Sequence, residues 1–595
     1  MPDWSYHGIF KPVLSVLPPL VAREFIHRGM NTIASLPFGL GAHIINFLGR
    51  EESSPLLHKE IQQIDFKNPV GLSGKIDPML TGTMAFSNLG FGFLEIGPVT
   101  WKPRESRQQP IKDNKAKRID FPEVQPSVGL EKTIDKLRKL TKKQPIFLRL
   151  SGSSQEVERM MAELEPYADG YIVENMDAEF RRYTNKPIWI VTSSMTELSP
   201  IKLSSFDGVV LEEKTGDFEL AETVEHLRQR GYKKTIVTSG GISEPWQAHE
   251  LMRAGADLVL LSDGYVFSGP GLTKRINESL LGVMERPAPV GNGWYSYWLF
   301  GLFILLGGML AFLFGVTSIV LPYDEHFLGV KKEEIWLFNE RIMLFMAHDR
   351  LTLAGTMISG GIVYMQLARY GVKQGLLWAK QAIDVAAIIG FLGIFSFIGY
   401  GYFDWLHLLF WLILLPVYAY GFIKTRGLNG TPSSSNLKND SVWKKGVYGQ
   451  LAFVLMGFSF VVGGIVISYI GVTSVFVATD IQYICMPPEL LDSFNQNLIS
   501  VLAHDRAGFG SALLSVGLLV LMLSLWGFQQ GNKWVWWTIL IGGLPAFITG
   551  ILIHFLIGYT TFTHLFPAYV AVGLFCGGLV LSYEFLHKKV ETNIG

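Results

Sequence analysis

Two patterns of apolar residues divide the chain near residue 290. Over 51–290, charged stretches alternate with short apolar or β-branched runs. Eight such runs stand out, at 69–73, 93–97, 146–150, 170–173, 187–191, 208–211, 235–239 and 257–262. Most are separated by stretches of helical character, such as EKTIDKLRKLTKK and DFELAETVEHLRQRG. Near-continuous apolar strands alternating with helices indicate buried parallel strands. Eight β/α units in about 220 residues predict an α/β TIM barrel. A doubly wound sheet with fewer strands is the alternative.

From Trp294 onward long apolar runs dominate. They predict an all-α membrane domain with eight transmembrane helices near 296–320, 343–368, 382–402, 405–423, 448–477, 502–527, 534–557 and 565–586. The junction ERPAPVGNG, residues 285–293, carries two prolines and two glycines, as a linker should. Residues 9–48 are apolar but broken by proline and glycine, short of the ~20 clean residues of a span. Helices lying on the membrane surface and a cap packed on the barrel both fit them. The expected domains are 1–50 (N-terminal membrane-associated helices), 51–284 (barrel), 285–293 (linker), 294–446 and 447–595 (two membrane repeats).

The membrane half contains a duplication. Gly315-Val316-Thr317-Ser318 recurs as Gly471-Val472-Thr473-Ser474, and Ala347-His348-Asp349-Arg350 as Ala503-His504-Asp505-Arg506, both at an offset of 156. The same offset pairs Asp324 with Asp480 and Phe338-Asn339 with Phe494-Asn495. After a slip of one residue, Gly401-Tyr402 matches Gly558-Tyr559 and His407 matches His564. Internal repetition at a fixed period marks a copied structural unit. Four spans per copy give two parallel repeats.

Each copy is expected to bring an Asp, an Arg and two His towards one membrane surface: His348, Asp349, Arg350 and His407 in the first, His504, Asp505, Arg506 and His564 in the second. Ionisable groups at that depth are costly unless paired. Three readings stay open: an interfacial anchor, a quinone, haem or metal site, and a transport or proton path. No metal-ligand set is assigned. His554 has no histidine counterpart in the first copy and so counts less.

Composition narrows the classes. Lys+Arg and Asp+Glu both number 51, so there is no basic excess for nucleic acid. Two cysteines, Cys485 and Cys576, exclude a cysteine-ligated iron–sulfur cluster, a Cys-rich zinc site and a disulfide framework. No signal peptide is read in MPDWSYHGIFKPVL. Basic residues crowd 369–380 and 424–446, while 478–500 carries acids without Lys or Arg. By the positive-inside rule the barrel and both termini are expected on the cytoplasmic side of a multi-pass protein.

Several motifs of the soluble half are similar to those of the quinone-dependent (class 2) dihydroorotate dehydrogenases. Phe66-Lys67-Asn68-Pro69-Val70-Gly71-Leu72 resembles the family's FKNPxGL, and Leu89-Gly90-Phe91-Gly92-Phe93 through Glu95-Ile96-Gly97 its GFGxxEIG. Ser239-Gly240-Gly241-Ile242-Ser243, the stretch Arg253 to Val259, and Phe267-Ser268-Gly269-Pro270-Gly271 resemble its GGI, AGASLVQ and F-x-GP segments. The resemblance covers roughly 1–285. It implies a flavin oxidoreductase acting on CH–CH groups of a small-molecule substrate. FMN would be cradled by Ser73, Gly74, Gly240, Gly241, Ser262 and Gly264, with quinone as electron acceptor.

The reaction-bearing positions depart from the family pattern. Ser73-Gly74-Lys75 replaces Ala-Ala-Gly, Pro78 the lysine of the DK pair, and Pro98 the flavin-touching threonine. Phe121-Pro122-Glu123 stands at the substrate loop, Glu174-Asn175-Met176-Asp177 at the catalytic base, Val191 at the barrel lysine, and Glu213-Lys214 at the asparagine-threonine pair. Asp263 lies where a carboxylate would repel phosphate unless it turns away. No catalytic residue is assigned. A barrel that senses a phosphorylated metabolite and regulates the membrane half, and a transporter built on the duplicated bundle, are the alternatives.

Overall fold

A computed structural model describes residues 2–49, 53–113, 118–174, 178–193, 205–213, 219–284, 292–393, 395 and 401–589. The chain forms two compact units: residues 1–285 together with 432–443, and the remainder.

In the first unit the eight predicted runs are the eight strands of a closed parallel barrel. They are β1 (Val70–Leu72), β2 (Phe93–Val99), β3 (Ile146–Leu150), β4 (Gly170–Val173), β5 (Ile188–Thr192), β6 (Gly208–Glu212), β7 (Thr235–Ser239) and β8 (Leu258–Leu261). Each pairs with its sequence neighbours, and β8 closes on β1. The strands are buried on both faces, hence their continuous apolar runs. The helices between them are amphipathic. In Ser154–Leu164, Val157, Met160, Met161 and Leu164 face the strands, and a Ser153/Glu156 capping box starts the helix.

One end of the barrel is plugged. Phe93, Phe147 and Trp189 project into the lumen, and the Phe147 and Trp189 rings stack at 3.8 Å. The hairpin Lys59–Ile61/Ile64–Phe66 covers this end, placing Phe66 on Phe93 at 5.5 Å and Gln62 Oε1 as acceptor for the Trp189 indole at 3.1 Å. The opposite, C-terminal mouth is left for chemistry.

The N-terminal helices pack on the barrel with one side and expose apolar residues on the other. In Pro19–Ala34, His27 and Met30 are buried against barrel residues, whereas Phe25, Phe38 and Leu40 are exposed. The chain bends by 91° between Pro19–Ala34 and Pro37–Gly49. The first unit also holds 432–443, where Asn439 Nδ2 donates to the Ser243 carbonyl at 2.9 Å and Arg275 lies over the Trp443 ring.

The second unit is helical: α1 (Gly293–Thr317), α2 (Glu340–Tyr370), α3 (Leu377–Gly393), α4 (Trp405–Lys424), α5 (Ser441–Val472), α6 (Leu498–Trp526), α7 (Lys533–Ile557) and α8 (Phe562–His587). Seven of these are long and apolar enough to cross a membrane. The eighth predicted span is described only as α3, because 394 and 396–400 lie outside the described residues, as does most of the linker.

The copies interlock. The second helix of each packs on the third helix of the other, α2 on α7 and α6 on α3. Phe338 and Phe494, equivalent by the repeat, stack on one another at 3.9 Å. Asn339 Nδ2 donates to the Ile484 carbonyl, and Asn495 Nδ2 to that of Leu328, its equivalent. Reciprocal contacts of this kind require a two-fold relation. Within each copy the first and second helices approach closely at glycines seven residues apart, Gly301, Gly308 and Gly315 in one and Gly457, Gly464 and Gly471 in the other.

Trp189 fills the plugged end of the barrel. Trp189→Ala should therefore destabilise the barrel by about 3–5 kcal/mol, read as a lower denaturant midpoint for the barrel transition of the full chain.

Candidate functional site

The polar residues of the membrane half meet at one end of the bundle. The sequence assigns an Asp–Arg–His set to each copy; the structure builds each set from both. Arg350 donates to Asp505 of the other copy (2.7 Å) and to Asp324 of its own (2.7 Å). Arg506 donates to Asp349 at 3.3 Å and also to Asp480. Tyr402 and Tyr559 donate to Asp324 and Asp480 respectively. Each guanidinium also reaches a backbone carbonyl, Ile319 for Arg350 and Val475 for Arg506. Both carbonyl residues are β-branched and sit at positive φ (55° and 62°). Such residues rarely adopt this conformation, so the copies share even their backbone strain.

The histidines cross over in the same way. His504 of α6 faces His407 at the start of α4, ring centroids 4.9 Å apart, and His407 Nδ1 donates to Asp404 Oδ2 at 2.8 Å. His348 of α2 meets His554 of α7 and His564 of α8. Asp404, His407 and His504 form one cluster of converging donor atoms; His348, His554 and His564 form the other. Asp404 was not singled out from the sequence, and His554 was given less weight for want of a counterpart. Each breaks the repeat, since the first copy's Asp404 matches Thr561 and His554 has no histidine partner. A polar residue present in only one copy was the signal available.

The first cluster opens into a cavity. A space of about 280 Å³ runs between apolar residues including Phe300, Met357, Phe391 and Trp411 and ends at Asp404, His407 and His504. This is near the lower bound of about 300 Å³ typical of small-molecule sites.

At the barrel mouth the upper lumen is ionic. Arg149 of β3 is buried, one inward position above Phe147, with Glu95 of β2 at 3.4 Å, Glu174 at 2.8 Å and Glu212 of β6 closer still. Lys75 Nζ donates to Glu212 Oε2 at 2.8 Å. Burial alone pushes the Glu212 carboxyl up, but Arg149 and then Lys75 outweigh it and hold it down at about 2. Glu95 stays raised because burial exceeds what Arg149 returns. A charged residue at an inward position of an otherwise apolar strand was the sequence signal for this network.

The residues expected to cradle FMN are placed as follows. Ser73 Oγ accepts from the Lys75 amide, and a Cβ on Gly74 would lie 2.5 Å from the Gly97 carbonyl oxygen, so Gly74 is required by the neighbouring chain. Gly240 and Gly241 have φ of 99° and 68°. Glu213 Oε2 stands 3.2 and 3.1 Å from where their Cβ atoms would be. Gly264 packs against the Ile242 carbonyl, and Ser262 precedes a short helix opened by buried Asp263. Asn175, Met176, Asp177 and Lys214 lie outside the described residues.

The architecture is that of a parallel eight-stranded barrel with its open site at the C-terminal mouth. No protein-family model matches the chain. The chain is similar to "Dihydroorotate dehydrogenase (quinone)" of Nautilia profundicola, 24% identical over 47% of this chain and 94% of that protein. It is also similar to the protein of the same name from Sulfurimonas denitrificans, 25% identical over 46% of this chain and 94% of that protein. A crystal structure of DHODH from Eimeria tenella in complex with ferulenol aligns over 45% of this chain and 92% of its own, at 17% identity and a TM-score of 0.37. The barrel half thus resembles the quinone-type dihydroorotate dehydrogenases. About half of this chain has no counterpart in those relatives.

The Glu213 carboxylate lies beside the Gly240-Gly241 turn and Asp263 follows the second loop, so two carboxylates stand at the segments expected to cradle a flavin phosphate, while the cations Arg149 and Lys75 are paired with carboxylates.

Because Glu212 titrates at about 2 in the fold rather than at the ordinary 4.5, the unfolded chain binds the extra proton between those values. The stability it contributes is complete above about 4.5 and is lost as pH falls towards about 2. Glu212→Gln should flatten the acid limb of the barrel's stability-versus-pH curve over that window, measured by denaturant unfolding.

Proposed function

We propose that the chain is a membrane-integral oxidoreductase of dihydroorotate dehydrogenase-like architecture that engages a quinone in its membrane half. The observation that carries this reading is the apolar cavity ending at Asp404, His407 and His504. A quinone needs an apolar slot for its ring and tail and a few placed polar groups for its oxygens. Asp404 accepts from His407 Nδ1, and Asp505 from His504 Nδ1 at 3.2 Å, so both rings present Nε2 as the acceptor nitrogen. Each accepts the hydroxyl proton of a quinol and, once protonated, donates to a quinone carbonyl. The similarity of the barrel to quinone-type enzymes supports the same partner.

The barrel mouth takes a small molecule, lipid surrounds the second unit, and the barrel and both termini lie on the cytoplasmic side. A second reading is favoured by the ion-pair network in the mouth: a barrel that binds a metabolite without turning it over and regulates the membrane half.

The test is quinone binding to the full-length protein in nanodiscs, followed by quenching of tryptophan fluorescence with short-tailed benzoquinone and naphthoquinone. Saturable binding of one of them is expected, with affinity at least ~10-fold weaker in His504→Leu, the scale of a lost buried hydrogen bond. No saturable binding of either, or unchanged affinity in His504→Leu, contradicts the reading.

A further inference from the structure

The second histidine cluster, His348, His554 and His564, brings three Nε2 atoms together. His348 Nδ1 lies 2.8 Å from Asp349 Oδ1, and Asp349 also accepts from Arg506. A carboxylate in that setting only accepts, so Nδ1 carries a proton, and in the neutral ring His348 Nε2 presents a lone pair. His554 Nδ1 bonds the Gly550 carbonyl, which also only accepts, so His554 Nε2 presents a lone pair too. These two nitrogens face each other at 2.9 Å. His564 Nε2 stands 3.0 Å from His554 Nε2. With both rings neutral, the contact between His348 and His554 sets lone pair against lone pair, and a cation between them, a proton or a metal ion, relieves it. Both residues are buried, so water does not separate them.

The surrounding charge has the same sign of deficit. In the buried ion-paired set, four aspartates, Asp324, Asp349, Asp480 and Asp505, meet two guanidinium groups, Arg350 and Arg506. Within that set two negative charges are left over, and buried charge is retained only when compensated.

We propose that His348, His554 and His564 hold a divalent first-row transition ion, Zn²⁺ or Cu²⁺, through their three Nε2 atoms. Imidazole nitrogen suits these ions. Ligand bonds of about 2.0–2.1 Å place tetrahedral nitrogens roughly 3.3 Å apart, a few tenths of an ångström beyond the 2.9 and 3.0 Å that separate His554 Nε2 from those of His348 and His564. The hydrogen bonds from Nδ1 to Asp349 and to the Gly550 carbonyl are the outer partners that metal-bound histidines take. The ion offsets the two surplus negative charges. It also ties α2 of one copy to α7 and α8 of the other. The equivalent cluster has Asp404 but no third histidine and opens into the cavity, so the copies have divided the work: one seals a metal, the other admits a ligand.

The test uses full-length protein in detergent, stripped with chelator and then offered Zn²⁺, Cu²⁺ or Co²⁺ separately. Metal is counted by mass spectrometry, and Co²⁺ is also read by its visible d–d bands. The wild type should take up one ion with tetrahedral Co²⁺ bands and gain several degrees in Tm on loading, as binding to the folded state requires. His554→Leu and the milder His554→Asn should each lose that ion, the bands and the Tm gain, whereas His407→Leu keeps all three. Absence of uptake of all three ions by the wild type overturns the proposal. So does an ion retained in His554→Leu or His554→Asn protein that elutes as the wild type does.

Discussion

Two arginines, each reaching across to an aspartate of the other copy, set the constraint under which the membrane half is built. Asp324 and Asp480 are fully buried, and Asp349 and Asp505 nearly so. Removing one partner of a buried ion pair costs about 3–5 kcal/mol, because the other charge is stranded. Neither copy can satisfy its own set: Arg350 needs Asp505, and Arg506 needs Asp349. The copies are therefore bound together by charge as well as by packing. The second-on-third helix exchange, the Phe338–Phe494 stack and the crossed Asn339 and Asn495 hydrogen bonds follow the same two-fold logic.

Once the copies are locked in this way, the histidines beside the arginines are placed by default. His348 and His504 precede the buried Asp349 and Asp505 in sequence, and their Nδ1 atoms bond those carboxylates. Each ring then points its Nε2 away from its own aspartate. Divergence between the copies decides what it meets: His407 with Asp404 and a cavity on one side, His554 and His564 on the other. The barrel shows a related economy. Its plugged end is aromatic, while its mouth holds Arg149 among three glutamates.

Much of this was legible in the sequence. Apolar runs marked all eight barrel strands, because strands buried on both faces are mostly apolar, broken only at single inward charges such as Glu95 and Arg149. The repeat offset of 156 announced the copied arginines and aspartates. The exchange between copies was not legible: a repeat states which residues are equivalent, not which copy each one touches. His554 was undervalued for want of a twin, yet it sits between His348 and His564. Glu213 was read as a replaced family position rather than as the carboxylate covering Gly240 and Gly241. Arg149 was read only as part of an apolar strand, since its charge partners lie on strands distant in sequence.

The exchange of charge between copies is tested most directly by a double-mutant cycle on Arg350→Met and Asp505→Leu, with unfolding of the full chain followed in mixed micelles. Residues in contact should couple by at least ~1 kcal/mol, the double variant being more stable than the sum of the single losses allows. Losses that add to within ~0.5 kcal/mol, as for sites far apart, would mean that each copy keeps its own arginine and that the interlocked arrangement is wrong.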